Sequence, residues 1–281
     1  MSCPEWESRK RHIDIGRGQT IAYVDTGKSD RVAVLVHGFT DSSWSFSLVE
    51  PHLQDMRLIM PDLRGHGASH RPEDAYSLGD FADDIVRLMG ALGVRDALVA
   101  GHSLGAMVAM ELAASRPDLV GALVTLSGCL KPEIDEMSPI CLGVASLQDP
   151  IDPEDEFFGV WHACKEPVDA AFLAALARDA AEIPARLWRR VLEEIRSCDL
   201  TNRVPIIKQP SLIIHGSADP LFSVSQAGML KRCLARSNMI ELAGCGHNLH
   251  WEQPERVSRI LREFETAIAG AAGDRDGSLS Q

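Results

Sequence analysis

Asp96-Ala-Leu-Val-Ala-Gly-His-Ser-Leu-Gly-Ala-Met-Val-Ala-Met-Glu-Leu-Ala-Ala114 changes period half-way along. The apolar run Ala97 to Ala100 stops at Gly101. From Leu104 onward, Leu104, Val108 and Leu112 fall four apart with Met107 beside them, the spacing of a helix face. A strand therefore turns sharply into a helix, with Ser103 at the turn. Gly101 and Gly105 stand two residues either side of it, where side chains would collide as strand and helix approach, and the residue between them is held in a strained conformation. The Ser103 hydroxyl is thrown out above the carboxyl end of the strand. The first helical turn adds unpaired N–H groups and the positive end of its dipole, which favour negative charge developing there.

Outward from this turn, buried-strand patterns alternate with helical ones. His12 to Ile15 and Thr20 to Asp25 flank Gly16-Arg17-Gly18 and read as an edge hairpin. Arg31-Val-Ala-Val-Leu-Val-His-Gly38 is a continuous apolar run suited to a strand buried on both faces, as is Arg57 to Met60. Trp44 to Leu53 reads as a short helix. Ser77 to Leu92 is amphipathic, with Phe81, Ile85, Leu88 and Leu92 on one face and Gly93 as its stop. Gly121 to Ser127 is the next strand. Between about Leu130 and Arg203 the strand patterns give way to Pro- and acid-rich loops and helices at Asp169 to Ala181 and Pro184 to Arg196, the mark of a helical insertion.

Strands resume at Pro210 to Gly216 and Ser237 to Leu242, and a last helix runs from Pro254 to about Ile268. The expected organisation is a core of residues 1–129 and 206–270, a helical cap of residues 130–205, and a flexible tail of residues 271–281. Alternation of this kind implies an α/β fold: a mostly parallel, doubly wound β-sheet with function in the loops at the strands' carboxyl ends.

The chain has 281 residues, 45% hydrophobic, with 28 basic and 40 acidic side chains and a net charge of −12. That balance argues against nucleic acid and anionic membrane as partners. The N-terminus lacks the charged-then-apolar pattern of a signal peptide, and apolar runs fall short of the ~18 residues a membrane span needs. A cytoplasmic protein is expected. Its seven cysteines are scattered without C-x-x-C spacing, which fits reduced thiols rather than a disulfide framework or zinc site. No cofactor and no metal are expected, and the expected partner is a small-molecule substrate.

A serine hydroxyl is a weak nucleophile near neutrality and needs a histidine base, itself oriented by a carboxylate. Downstream of Ser103, the strand ending at His215 opens into Gly216-Ser-Ala-Asp219-Pro220, and the next strand opens into Ala243-Gly-Cys-Gly-His247. Neighbouring strand ends bring Asp219 and His247 within reach of each other. His250 competes as the base, but it lies nearer the next helix and beside Trp251, where packing is its expected role. No acid occurs from Thr125 to Leu130, the other loop from which one might come. Two N–H donors must also meet the oxyanion of a tetrahedral intermediate. Leu104 supplies one, and Phe39, after the bend that Gly38 allows, supplies the other.

Five stretches together carry a resemblance: Val-His-Gly-Phe39, Pro-Asp-Leu-Arg-Gly-His-Gly67, Gly-His-Ser-Leu-Gly105, His-Gly-Ser-Ala-Asp219, and Gly-His247 followed by Glu252 and Pro254. The sequence resembles the α/β-hydrolase superfamily, in the branch of esterases and related hydrolases with a helical cap. The resemblance implies Ser103 as nucleophile, His247 as base, Asp219 as acid and Phe39 and Leu104 as oxyanion donors. It assigns Asp62, Arg64, Gly65 and Gly67 to structure. Haloalkane dehalogenases and epoxide hydrolases carry an aspartate where this chain has Ser103, and the only tyrosines, Tyr23 and Tyr76, lie outside the cap. Hydrolysis of an ester or lactone through an acyl-enzyme is therefore expected. A carbon–carbon bond hydrolase, a cofactor-free perhydrolase and a ligand-binding protein with little turnover are the alternatives. Trp161 and Trp188 are the cap residues expected to line the substrate pocket, which suits an apolar substrate.

Overall fold

The hairpin signalled around Gly16-Arg17-Gly18 forms as β1 (Arg11–Asp14) and β2 (Thr20–Asp25), and it is preceded by a short helix, α1 (Cys3–Arg9), that the sequence did not announce. Six further strands follow: β3 (Val32–Val36), β4 (Arg57–Pro61), β5 (Ala97–His102), β6 (Val120–Leu126), β7 (Ser211–Gly216) and β8 (Ser237–Leu242). The structure is a computed structural model that describes residues 3–27 and 29–276, with side chains as far as residue 270. The strands make one sheet in the order β1-β2-β4-β3-β5-β6-β7-β8. β2 runs antiparallel to β1 and β4, and every pairing from β4 to β8 is parallel.

Alternate residues of the central strands feed two hydrophobic clusters, one on each face. Val34, Val36 and Val99 point to the face covered by α2 (Leu78–Ala91) and α3 (Leu104–Ser115). Ala33, Leu35, Leu98 and Ala100 point to the face covered by α10 (Pro254–Asp276). This double burial explains why β3 and β5 read as unbroken apolar runs. Between Leu104 and Ala113 only Glu111 of α3 is incompletely buried, because the helix packs against the sheet on one side and α2 on another. α2 opens on a capping box in which Ser77 and Asp80 satisfy each other's backbone N–H groups.

Between β6 and β7 lie α4 (Pro139–Ser146), α5 (Phe157–Trp161), α6 (Ala170–Ala181) and α7 (Ala185–Ser197). The two ends of this segment are tied where it leaves and rejoins the sheet: Leu200 N–H donates to the Leu130 carbonyl at 2.9 Å, and Lys131 pairs with Asp199 at 3.2 Å. Its interior is continuous with the main core, since Trp188 and Ile195 belong to the same cluster as Val99 and Met107. α8 (Val224–Cys233) and α9 (Leu249–Glu252) complete the set.

Two further details depart from the sequence reading. Trp44 to Leu53 forms two single 3₁₀ turns, Ser43–Phe46 and Glu50–His52, in place of a helix. Ser42 Oγ takes a backbone partner, accepting from Trp44 N–H at 3.2 Å, and Pro51 removes a donor. The last helix continues to Asp276, past the expected stop. Gly270 and Gly273 each cost the helix only about 1 kcal/mol relative to Ala, too little for either to impose a stop. The rest of the expected tail, residues 277–281, lies outside the described residues.

Candidate active site

β3 and β5 are neighbours in the sheet but not in sequence, so the chain reverses its winding between them and leaves a crevice at their carboxyl ends. Ser103 stands at the end of β5 with φ 51° and ψ −114°. A Cβ at Gly101 would overlap the carbonyl of Gly105, and one at Gly105 would overlap the carbonyl of Val36. Both glycines are therefore fixed by contact between strand and helix, as the sequence spacing implied. Thr40 (φ 68°) and Ser127 (φ 49°), just beyond β3 and β6, also adopt left-handed backbone, so strain collects around this crevice.

Asp219 follows β7 and His247 follows β8. The His247 Nδ1–H donates to Asp219 Oδ2 at 2.9 Å, while Asp219 Oδ1 accepts from the N–H groups of Leu221 at 2.8 Å and Phe222 at 3.0 Å. Burial would raise the carboxyl, but His247 and the two N–H donors outweigh it and hold Asp219 at about 2. With Nδ1 so occupied, Nε2 is the imidazole atom left for the cavity. The His247 carbonyl is gripped twice, by His102 Nε2–H at 3.1 Å and by Ser127 Oγ–H at 2.7 Å. Glu252 fixes the same loop by accepting from Gly246 N–H at 2.9 Å.

A cavity of about 50 Å³ joins Ser103 and His247. Phe39, Ile134, Trp161, Leu192, Leu221 and Phe222 make most of its wall apolar, and Asp41, His162 and Asn248 add polar edges. It adjoins a wider chamber of about 620 Å³ between α4, α5 and the loop after β7, whose charged lining is Lys165, Glu133 and Asp135. Leu104 opens α3, so its N–H has no acceptor one turn back. The turn carrying Phe39 is closed by Asp41 N–H to the Gly38 carbonyl at 3.3 Å, which leaves the Phe39 N–H out of the turn's own bonding.

Of the two tryptophans expected in the pocket, only Trp161 lines it. Its indole N–H donates to Thr40 Oγ1 at 2.7 Å, and its ring borders both chambers. Trp188 is fully buried behind it, with its N–H donated to the Ala180 carbonyl at 3.1 Å and its ring edge-on to Phe39 and Trp161. It packs the wall from behind because its one polar atom finds a partner inside α6. His37 and His66 are structural: His37 accepts from Leu63 N–H and donates to the Gly38 carbonyl, and burial lowers both imidazoles, to about 4 and about 3. Arg64 makes a two-pronged pair with Asp84 at 2.7 and 2.6 Å, and Lys10 pairs with Asp62 at 2.8 Å. Cys245 is buried and its thiol is pushed up to about 12 by burial, which fits a filler rather than a reactive thiol.

Asp41, His102 and His250 converge without having been foreseen, their donor atoms within 4.8 Å of one another. Zinc would draw such donors to separations of about 3.4 Å. Asp41 Oδ2 and His102 Nδ1 stand 3.9 Å apart, and Ser45 Oγ already engages Asp41 at 3.1 Å and His250 at 2.9 Å. The cluster fits a polar network better than a metal site.

Residues 33–260 match the model of the alpha/beta hydrolase family. The chain belongs to that family. A 2-(acetamidomethylene)succinate hydrolase from Mesorhizobium japonicum is 28% identical over 271 residues, which cover 90% of this chain and 94% of the relative. Among solved structures, an esterase from Rhodococcus sp. ECU1013 superimposes with a TM-score of 0.80 at 25% identity, covering 92% of this chain and 99% of that one. The enol-lactonase of Burkholderia xenovorans LB400 shares the fold with a TM-score of 0.79 at 20% identity, covering 91% and 100%. No helix among the described residues is long and apolar enough to cross a membrane.

Proposed function

We propose that this alpha/beta hydrolase cleaves a carboxylic ester or lactone through an acyl-enzyme, with Ser103 as nucleophile, His247 as base and Asp219 as the acid that orients it. The carrying observation is the Asp219–His247 pair at 2.9 Å, whose free imidazole edge borders the same small cavity as Ser103. His247 takes the Ser103 proton as the oxygen attacks the carbonyl, and the N–H groups of Leu104 and Phe39 receive the oxyanion. Collapse expels the alcohol with that proton. A water, deprotonated by His247, then releases the acid and returns the proton to Ser103.

The chambers suggest how substrate sits. The inner cavity has room for about three or four water-sized groups, which suits a short acyl chain. The outer chamber takes the leaving group, and Met137, Leu142 and Val160, which belong to the segments that flank it, are exposed apolar side chains. Among the described residues, Lys165 is the one Lys or Arg lining that chamber, against the two carboxylates Glu133 and Asp135, so a neutral substrate fits better than a dicarboxylate. The test is hydrolysis of p-nitrophenyl esters from acetate to decanoate. The proposal expects turnover to peak at acetate to butyrate and fall beyond, whereas no turnover of any ester or lactone tried would overturn it.

A further inference from the structure

His102, beside the nucleophile, faces two ways. Its Nε2–H is committed to the His247 carbonyl at 3.1 Å, so Nδ1 carries a lone pair, and that atom is buried with no protein partner among the described residues. The side chain placed to serve it is Asp41, whose Oδ2 lies 3.9 Å away, so that an approach of about 0.7 Å would bring it to hydrogen-bond length. Asp41 belongs to the turn that presents the Phe39 N–H, and Gly38 at the start of that turn abuts the same imidazole: a Cβ there would lie 2.7 Å from His102 Nδ1. The oxyanion turn and the nucleophile turn thus meet at one buried acid and one unpaired imidazole nitrogen. Only a protonated carboxyl can join them, because a carboxylate would set its lone pairs against that of the nitrogen.

We propose that Asp41, in its protonated form, is a positioning residue that ties the Phe39 turn to the Ser103 turn by donating to His102 Nδ1, so that losing this proton disables the oxyanion donor. The inference rests on the proposed serine mechanism. Burial pushes Asp41 up to about 7, and Asp179 adds to the rise, outweighing the Ser45 hydroxyl and Gly38 N–H that favour its ion. Apart from His247, which shares the cavity and is engaged with Asp219, the titratable groups around it are His102, His250 and His162, all lowered by burial and neutral, the Cys164 thiol, and Asp179, itself raised to about 6. None of these carries a positive charge that would hold Asp41 ionised.

The test measures kcat and KM for p-nitrophenyl acetate from pH 5.5 to 9 in the wild type, Asp41→Asn, Asp41→Ala and Asp179→Asn. Wild-type kcat should drop by at least about threefold between pH 7 and 8.5 with KM little changed, since an oxyanion donor acts on the transition state. Asp41→Asn, whose amide donates at every pH, should lose that drop. Asp41→Ala should have lowered kcat throughout, and Asp179→Asn should keep the drop but move it to lower pH, since the Asp179 charge helps to raise Asp41. An unchanged alkaline drop in Asp41→Asn overturns the proposal, as does wild-type behaviour of Asp41→Ala. Imidazole ¹⁵N shifts give a readout independent of turnover: His102 Nδ1 should move near pH 7 in the wild type and not in Asp41→Asn, and a pH-invariant wild-type signal contradicts the clamp. Labelling of Ser103 by a fluorophosphonate, run alongside, separates failure of the clamp from failure of the serine mechanism.

Discussion

Replacing Asp219 by Asn removes a charge and leaves the shape. The wild-type carboxyl sits at about 2 where 3.8 is ordinary, so its ion is favoured by about 2.5 kcal/mol in the fold relative to the unfolded chain. The side chain has no exposed surface, so solvent does not discount that figure. Two of its partners, the N–H groups of Leu221 and Phe222, remain for the amide oxygen to accept. The amide NH₂ then faces His247 Nδ1 and selects the tautomer with its proton on Nε2, which cannot accept from Ser103. Turnover should fall by about 10³ to 10⁴. Stability at pH 7 should fall by no more than about 2.5 kcal/mol. Because the native carboxyl's pKa is depressed, its contribution is complete above about pH 4 and disappears as pH falls from there toward 2. Urea unfolding should therefore separate wild type and variant most at pH 7 and narrow the gap to about a third near pH 2.5. A variant that hydrolyses p-nitrophenyl acetate within tenfold of wild type would refute the reasoning, whatever its stability.

Three further outcomes follow from the packing. Trp161→Ala, which opens the wall between the two chambers, should shift the preferred acyl chain to longer esters in the p-nitrophenyl series. Arg64→Met leaves Asp84 buried beside an apolar side chain, and urea melts at pH 7 should show a loss of about 3–5 kcal/mol. Gly105→Ala drives a Cβ into the Val36 carbonyl, so the variant should lose at least about 1–3 kcal/mol in thermal unfolding and most of its turnover, because β3 must move away from Ser103.

How much could be read beforehand depended on how local each signal was. Ser103 between Gly101 and Gly105 is a contact between consecutive segments, and the structure gives that contact directly. Asp219 and His247 sit at the ends of adjacent strands, so recognising the strands was enough to bring them together. α4 and α5 escaped notice because they are short and lack a sustained apolar period. Trp188 was misplaced because the wheel of α7 shows which face is apolar but not whether core or cavity lies opposite. The Asp41 network was illegible for a different reason: residues 41, 45, 102 and 250 come from separate segments and meet only in the fold.

The most direct measurement is the intact mass of the protein after treatment with a fluorophosphonate, followed by mapping of the modified peptide. The account predicts one adduct per chain, carried by Ser103, absent from Ser103→Ala and formed far more slowly in His247→Ala. A wild-type protein that takes no label, or labels equally after Ser103→Ala, would contradict it.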